Sequence, residues 1–153
     1  MSTMDEVIKS GDLSKLFSLS DTVDFSIALM EMLSAKCDYD PELLNPTQRI
    51  LFLCIQIENS GQADTILNFL QEDYPAYSQE VVEALKAIGA TKSAYYIQEA
   101  IGLLPTNGES FFDHATEATQ QRMMQLDSQF SDYPDGPMPE LYRSFAVAHR
   151  EDF

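Results

Sequence analysis

The stretch from Pro46 to Glu58 sets Ile50, Leu51, Phe52, Leu53, Cys54, Ile55 and Ile57 in near-unbroken succession, with no charged residue between Arg49 and Glu58. Any fold open to this chain must hide that run. Its apolar period alone permits a strand, but Asn45 is a good helix cap and Pro46 suits the first helical position. The stretch is also longer than an ordinary strand. A buried central helix is therefore predicted, ended by Asn59-Ser60-Gly61.

The neighbouring segments carry helical stripes. Leu13, Leu16 and Phe17 mark a short helix, and Ser20-Asp21 opens a longer one through Phe25, Ile27, Met30 and Leu33 that closes near Cys37. Beyond Gly61, the residues Ala63, Ile66, Leu67 and Leu70 give a further helix that stops at Tyr74-Pro75. Val81, Val82, Leu85 and Ile88, then Ala94, Ile97, Ile101 and Leu104, predict a helical hairpin turning at Gly89. After a turn at Asn107-Gly108 comes a stripe from Ala115 through Thr119, Met123 and Leu126 to Phe130. Residues 132–139 form a Pro/Gly loop before a last helix with Leu141, Phe145 and Ala148. That loop leaves the last helix free to detach and pack on a second copy. The expected fold is all-α, one compact domain over residues 1–153, with about seven to nine helices in hairpins around the buried one.

Such a chain is long enough for a single core. Its charge is the anomaly: 25 acidic residues face 9 basic ones, for a net charge of −16 and a pI near 4.1. Charged residues make up 22% of the sequence, close to the usual quarter, so basic residues are what is missing. With 44% apolar residues the chain nevertheless belongs with folded proteins. A folded polyanion repels nucleic acid and anionic membranes and attracts basic proteins. No apolar stretch approaches the length that spans a bilayer. Two cysteines and no charged-then-apolar leader fit a reducing cytoplasm.

The sequence gives little support to catalysis or metal binding. His114 and His149 lack the spacing that would set them on one helical face as metal ligands, and no metal or other cofactor is expected. Asp38, Asp40 and Glu42 alternate like the start of a calcium loop, but Leu43 and Arg49 stand where its glycine and closing glutamate belong. Neither a phosphate-binding glycine loop nor a Gly-x-Ser-x-Gly elbow occurs. Cys37 and Cys54 lack the electropositive setting of a reactive thiolate and read as core, as do Met30, Met32, Met123 and Met124. Tyr95-Tyr96 and Phe111-Phe112 read as core or dimer contacts, because base stacking needs a basic groove.

Residues 50 to 85 contain Glu58, Asp64, Glu72, Asp73, Glu80 and Glu83 and not one Lys or Arg. On helices, Glu80 with Glu83 and Asp113 with Glu117 would project neighbouring carboxylates from one face, at about 0.2–0.5 kcal/mol of repulsion per pair. A function that uses the negative potential explains why such pairs persist. B-DNA carries about one negative charge per 1.7 Å of axis, and rigid carboxylates need match only the phosphates that a DNA-binding partner touches. The partner-binding carboxylates predicted on this physical ground are Asp38, Asp40 and Glu42 in one turn, with Glu72, Asp73, Glu80 and Glu83 in the segment free of basic residues.

Glu58-Asn59-Ser60-Gly61-Gln62, Ala84-Leu85-Lys86-Ala87-Ile88-Gly89-Ala90, Ala94 and Ala100-Ile101-Gly102-Leu103-Leu104-Pro105 together resemble the small acidic all-helical bacterial family of the neisserial DNA-mimic protein. The resemblance implies a homodimer that is similar to DNA in charge and shape and occupies the DNA-binding face of a helix-turn-helix transcription regulator. It implies no enzyme activity and no direct binding of nucleic acid. Two alternatives stand beside it: a small enzyme with Glu58 and Asn59 or Gln62 at a turn around Gly61, and an acidic adaptor for a partner that does not bind DNA.

Overall fold

The computed structural model describes residues 3–153, whose regular secondary structure is helical, with no strand among the described residues. They form two compact units, the first running to Ile55 and taking in Pro137–Phe153, the second being Gln56–Gly136.

In the first unit α1 (Met4–Ser10) is a helix that apolar periodicity missed. Thr3 and Glu6 close a capping box at its start, and Gly11 ends it at φ 66°. A 3-10 turn (Leu13–Ser18) leads to α2 (Thr22–Cys37), capped by Asp21 and burying Phe25, Ala28, Leu29, Met32 and Leu33. The expected start and end of α2 are both met. The last helix of the chain, α8 (Met138–Ala148), packs on α2. Its Tyr142 is buried and donates to the Cys54 carbonyl at 3.3 Å. Arg143 donates to the carbonyls of Ser20 (2.7 Å) and Leu19 (2.9 Å), so α8 is fixed within its unit and does not hang free for a second copy. The helix starts at Met138, two residues inside the predicted loop, because Pro139 suits a first helical turn.

Helix α3 (Pro46–Ala63) begins as the sequence predicts, with Asn45 Oδ1 accepting from the Gln48 N–H at 2.8 Å. Leu51 to Ile55 and Ile57 are all buried, as expected of a helix hidden on every side. The predicted break at Asn59-Ser60-Gly61 does not occur; the helix runs on to Ala63. Gly61 is there for packing. A β-carbon on it would lie 3.0 Å from Ser131 Oγ and 3.2 Å from the Phe130 ring, so only glycine lets those residues approach this closely.

The second unit continues with a π-helical turn (Asn68–Asp73) ending at Tyr74-Pro75, then α4 (Ser78–Ala87) and α5 (Thr91–Gly102), which form the predicted hairpin through Gly89 at φ 91°. Short α6 (Phe111–His114) precedes α7 (Glu117–Ser131), which is capped by Thr116 and buries Met123, Leu126 and Phe130. Asp113 and Glu117 therefore sit on different helices, not on one face of one helix. Helix α5 lacks a cap of its own, and Asp135 supplies one from the loop after α7, accepting from Lys92 N at 3.0 Å and Ser93 N at 2.8 Å. Asp135→Ala strands two N–H groups at a helix start and is expected to cost about 0.5–2 kcal/mol. A lowered urea midpoint with an unchanged slope would show this. Asp135→Asn, which keeps one acceptor, should lose less.

Candidate functional site

Carboxylates in this protein divide into those that hold the fold and those left to solvent. Asp12 and Asp21 cap helices, Asp127 accepts from Ile66 N at 2.8 Å, and Asp152 accepts from Thr47 Oγ1 at 2.6 Å. Glu99 takes both ends of the Arg122 guanidinium, which holds its carboxyl below the usual range. These acids are structural.

Of the predicted partner-binding residues, three lie in the turn between α2 and α3. Asp38 ends α2 in the left-handed region at φ 49°, with its N–H on the Ser34 carbonyl at 2.8 Å. Asp40 starts the Pro41–Leu43 3-10 turn by accepting from the Glu42 N–H at 3.0 Å. Glu42 pairs with Arg49 at 3.1 Å. All three are exposed, as expected, but Asp40 also holds the turn and Glu42 has a counter-charge that its distance in sequence concealed.

The other four belong to the second unit. Glu72 and Asp73 are exposed on the π-helical turn, which Phe69 and Leu70 anchor from below. The Phe69 and Tyr74 rings meet at 5.3 Å, tilted by 36°. Gln71 ties the turn to the α6 region, donating to the Glu109 carbonyl and accepting from Phe111 N, both at 3.0 Å. Glu80 and Glu83 stand three apart on α4, as predicted; Glu83 is exposed and Glu80 only partly so. Lys86, one residue beyond the segment free of basic residues, reaches Glu83 at 3.2 Å, so this carboxylate has a counter-ion. Both partners are largely exposed, and such a pair contributes about 0.2–1 kcal/mol at most.

Three of the scarce cations are directed at neutral groups. Lys36 donates to Gln48 Oε1, Arg143 to backbone carbonyls, and Arg150 lies 4.6 Å over the Phe17 ring. These three cations therefore do not neutralise carboxylates, and many acids remain exposed. Asp64, Glu72, Asp73, Asp113, Glu117 and Asp132 are all exposed in the second unit alone.

The core readings of Cys37 and Cys54 hold: both are buried free thiols, and burial pushes the Cys37 thiol up. Met32 and Met123 are buried, but Met124 is 67% exposed, contrary to the expectation of a core methionine. Phe111 is buried while Phe112 and Tyr95 face solvent. His114 pairs with Glu109, and the His149 ring nitrogen meets the Phe145 carbonyl at 2.9 Å. Among the described residues there is no cluster of three or more His, Cys, Asp or Glu fit to hold a metal, and no helix long and apolar enough to cross a membrane.

Two residues of the enzyme alternative, Gln62 and Glu58, are engaged in hydrogen bonds within the second unit. Gln62 donates to the Ser131 carbonyl at 2.8 Å, and Ser131 Oγ donates to the Gly61 carbonyl at 3.1 Å. Burial, reinforced by the neighbouring Glu58 carboxylate, pushes the Tyr133 hydroxyl up to about 12, so the phenol stays neutral and donates to Glu58. The turn that the alternative requires at Gly61 is absent, since the helix continues through it.

The described residues thus form an all-helical scaffold with many exposed carboxylates and few basic residues to balance them. Residues 42–149 match the family model described as DMP19-like protein, which covers more than half of the 153 residues. The chain belongs to the DMP19-like protein family, that of the DNA mimic DMP19, as its sequence resemblance implied. Neither curated proteins nor solved structures yielded a match.

Proposed function

We propose that this protein is a DNA mimic that binds the DNA-binding surface of a helix-turn-helix transcription regulator and so blocks it or releases it from operator DNA. The observation that carries the reading is the set of exposed carboxylates at Glu72, Asp73 and Glu83, held on folded helical turns in or beside a segment of the sequence that lacks basic residues. Membership of the DMP19-like family supports it. Asp38, Asp40 and Glu42 provide a second acidic turn in the first unit, with Glu80 beside Glu83 in the second. The protein acts in the cytoplasm as a homodimer, by binding alone, without catalysis or a cofactor.

Electrostatic recognition of this kind weakens steeply with ionic strength. Protein captured on the immobilised chain from bacterial lysate at low salt is expected to elute at high salt and then to bind duplex DNA. Captured partners with no affinity for DNA would instead support an acidic adaptor. Retention that does not respond to salt would contradict the electrostatic basis of both readings.

A further inference from the structure

The second unit contains a recess that the acidic surface does not use. Ile66, Leu67, Phe111 and Met123 form its buried walls, and Phe112 and Met124, 60% and 67% exposed, stand at its mouth. Its volume is about 180 Å³, somewhat larger than an engineered apolar cavity of about 150 Å³ that accepts benzene. Exposed Phe and Met side chains in a molecule this polar mark a surface suited to an apolar group.

One ionisable side chain lines the recess. Asp127, half-buried on α7, takes the Ile66 N–H on Oδ1 at 2.8 Å, and no basic residue is among the described residues that line the space. Burial raises the Asp127 carboxyl above the ordinary aspartate value, and Asp64 adds to the effect. A carboxylate at an apolar wall with no cation beside it favours a ligand that brings positive charge and disfavours an anion. A neutral hydrocarbon would fill the space but further desolvate the carboxylate without compensating it.

We propose that this recess binds a compact apolar cation of the arylalkylammonium class, its hydrocarbon among Ile66, Leu67, Phe111 and Met123 and its ammonium at the Asp127 carboxylate. The site lies within one unit and does not rest on the reading of the acidic surface as a DNA mimic.

Benzylamine, charged at neutral pH, and benzyl alcohol, its neutral counterpart of the same size, are the probes, titrated into the full chain by calorimetry and amide NMR. Benzylamine is expected to bind saturably at one equivalent, to shift the amides of Ile66 and Phe112, and to bind about tenfold or more tightly than benzyl alcohol, as a charge-assisted hydrogen bond warrants. This comparison needs no variant. Asp127→Asn keeps an acceptor for the Ile66 N–H; it should weaken benzylamine by about tenfold and leave benzyl alcohol within about twofold. Asp5→Asn removes the same charge from the first unit and should change neither. Lack of saturable benzylamine binding, equal affinity for both probes, or equal weakening by Asp5→Asn and Asp127→Asn would each overturn the proposal.

Discussion

Replacing Glu72, Asp73 and Glu83 together by lysine is expected to lower affinity for the DNA-binding partner by about a hundredfold or more. Each reversal removes an attraction and sets like charges against each other, and two such losses of about 1.4 kcal/mol already give that factor. The fold should survive. All three side chains are exposed, and the one ion pair lost, Glu83 with Lys86, contributes little in solvent. Unchanged helicity and melting temperature beside the loss of binding would show that the surface, not the scaffold, is affected. The neutral Gln variants should fall between wild type and reversal. In the first unit Asp38 and Glu42 are the residues to reverse, because Asp40 also caps its turn and its loss would mix stability with binding. If reversal in the second unit leaves affinity intact and reversal in the first abolishes it, the contact lies on the α2–α3 turn.

Gly61→Leu is expected to be among the most destabilising single changes. The helix itself would welcome a larger residue, since glycine costs roughly 1 kcal/mol relative to alanine in a helix interior. The packing decides the sign. A β-carbon at Gly61 already meets Ser131 Oγ at 3.0 Å and the buried Phe130 ring at 3.2 Å, and a leucine adds three more carbons in the same place. Overpacking of this kind typically costs about 1–3 kcal/mol, and the Gly61–Ser131 hydrogen bond is lost with it. Gly102→Ala is the contrast: nothing lies within 4 Å of a β-carbon at the end of α5, so stability should hold or rise by up to about 1 kcal/mol. Denaturant unfolding of both variants tests the pair. A Gly61→Leu protein as stable as wild type would mean that α7 can retreat from α3 at no cost.

What could be read from the sequence was whatever neighbouring residues decide among themselves. Asn45 and Pro46 fixed the start of α3, Asp21 that of α2, and Gly89 the hairpin of α4 and α5. Nothing beside Gly61 in sequence shows why it is glycine, because the reason is Phe130, remote in sequence and close only in the fold. Ser60 reads as a helix breaker, yet its hydroxyl donates to the Thr65 carbonyl at 2.6 Å and accepts from Phe69 N at 3.1 Å, fastening the chain that follows. Helix α1 escaped because Val7 is the only residue it fully buries, leaving no stripe to detect, although Thr3 and Glu6 already spelled its cap. The acidic character was plain in the composition. The pairing of Glu42 with Arg49, the cap that Asp135 lends to α5 and the recess beside Asp127 all depend on contacts that spacing alone does not reveal.

The central claim is that this chain and duplex DNA compete for one basic surface. The direct measurement is a titration of labelled operator DNA, bound to a purified regulator captured by this chain, with increasing amounts of the chain at fixed ionic strength. The account predicts full release of the DNA, an apparent affinity for the chain that falls in proportion to added DNA, and no ternary complex. A ternary complex in which regulator, DNA and this protein are held together would contradict it.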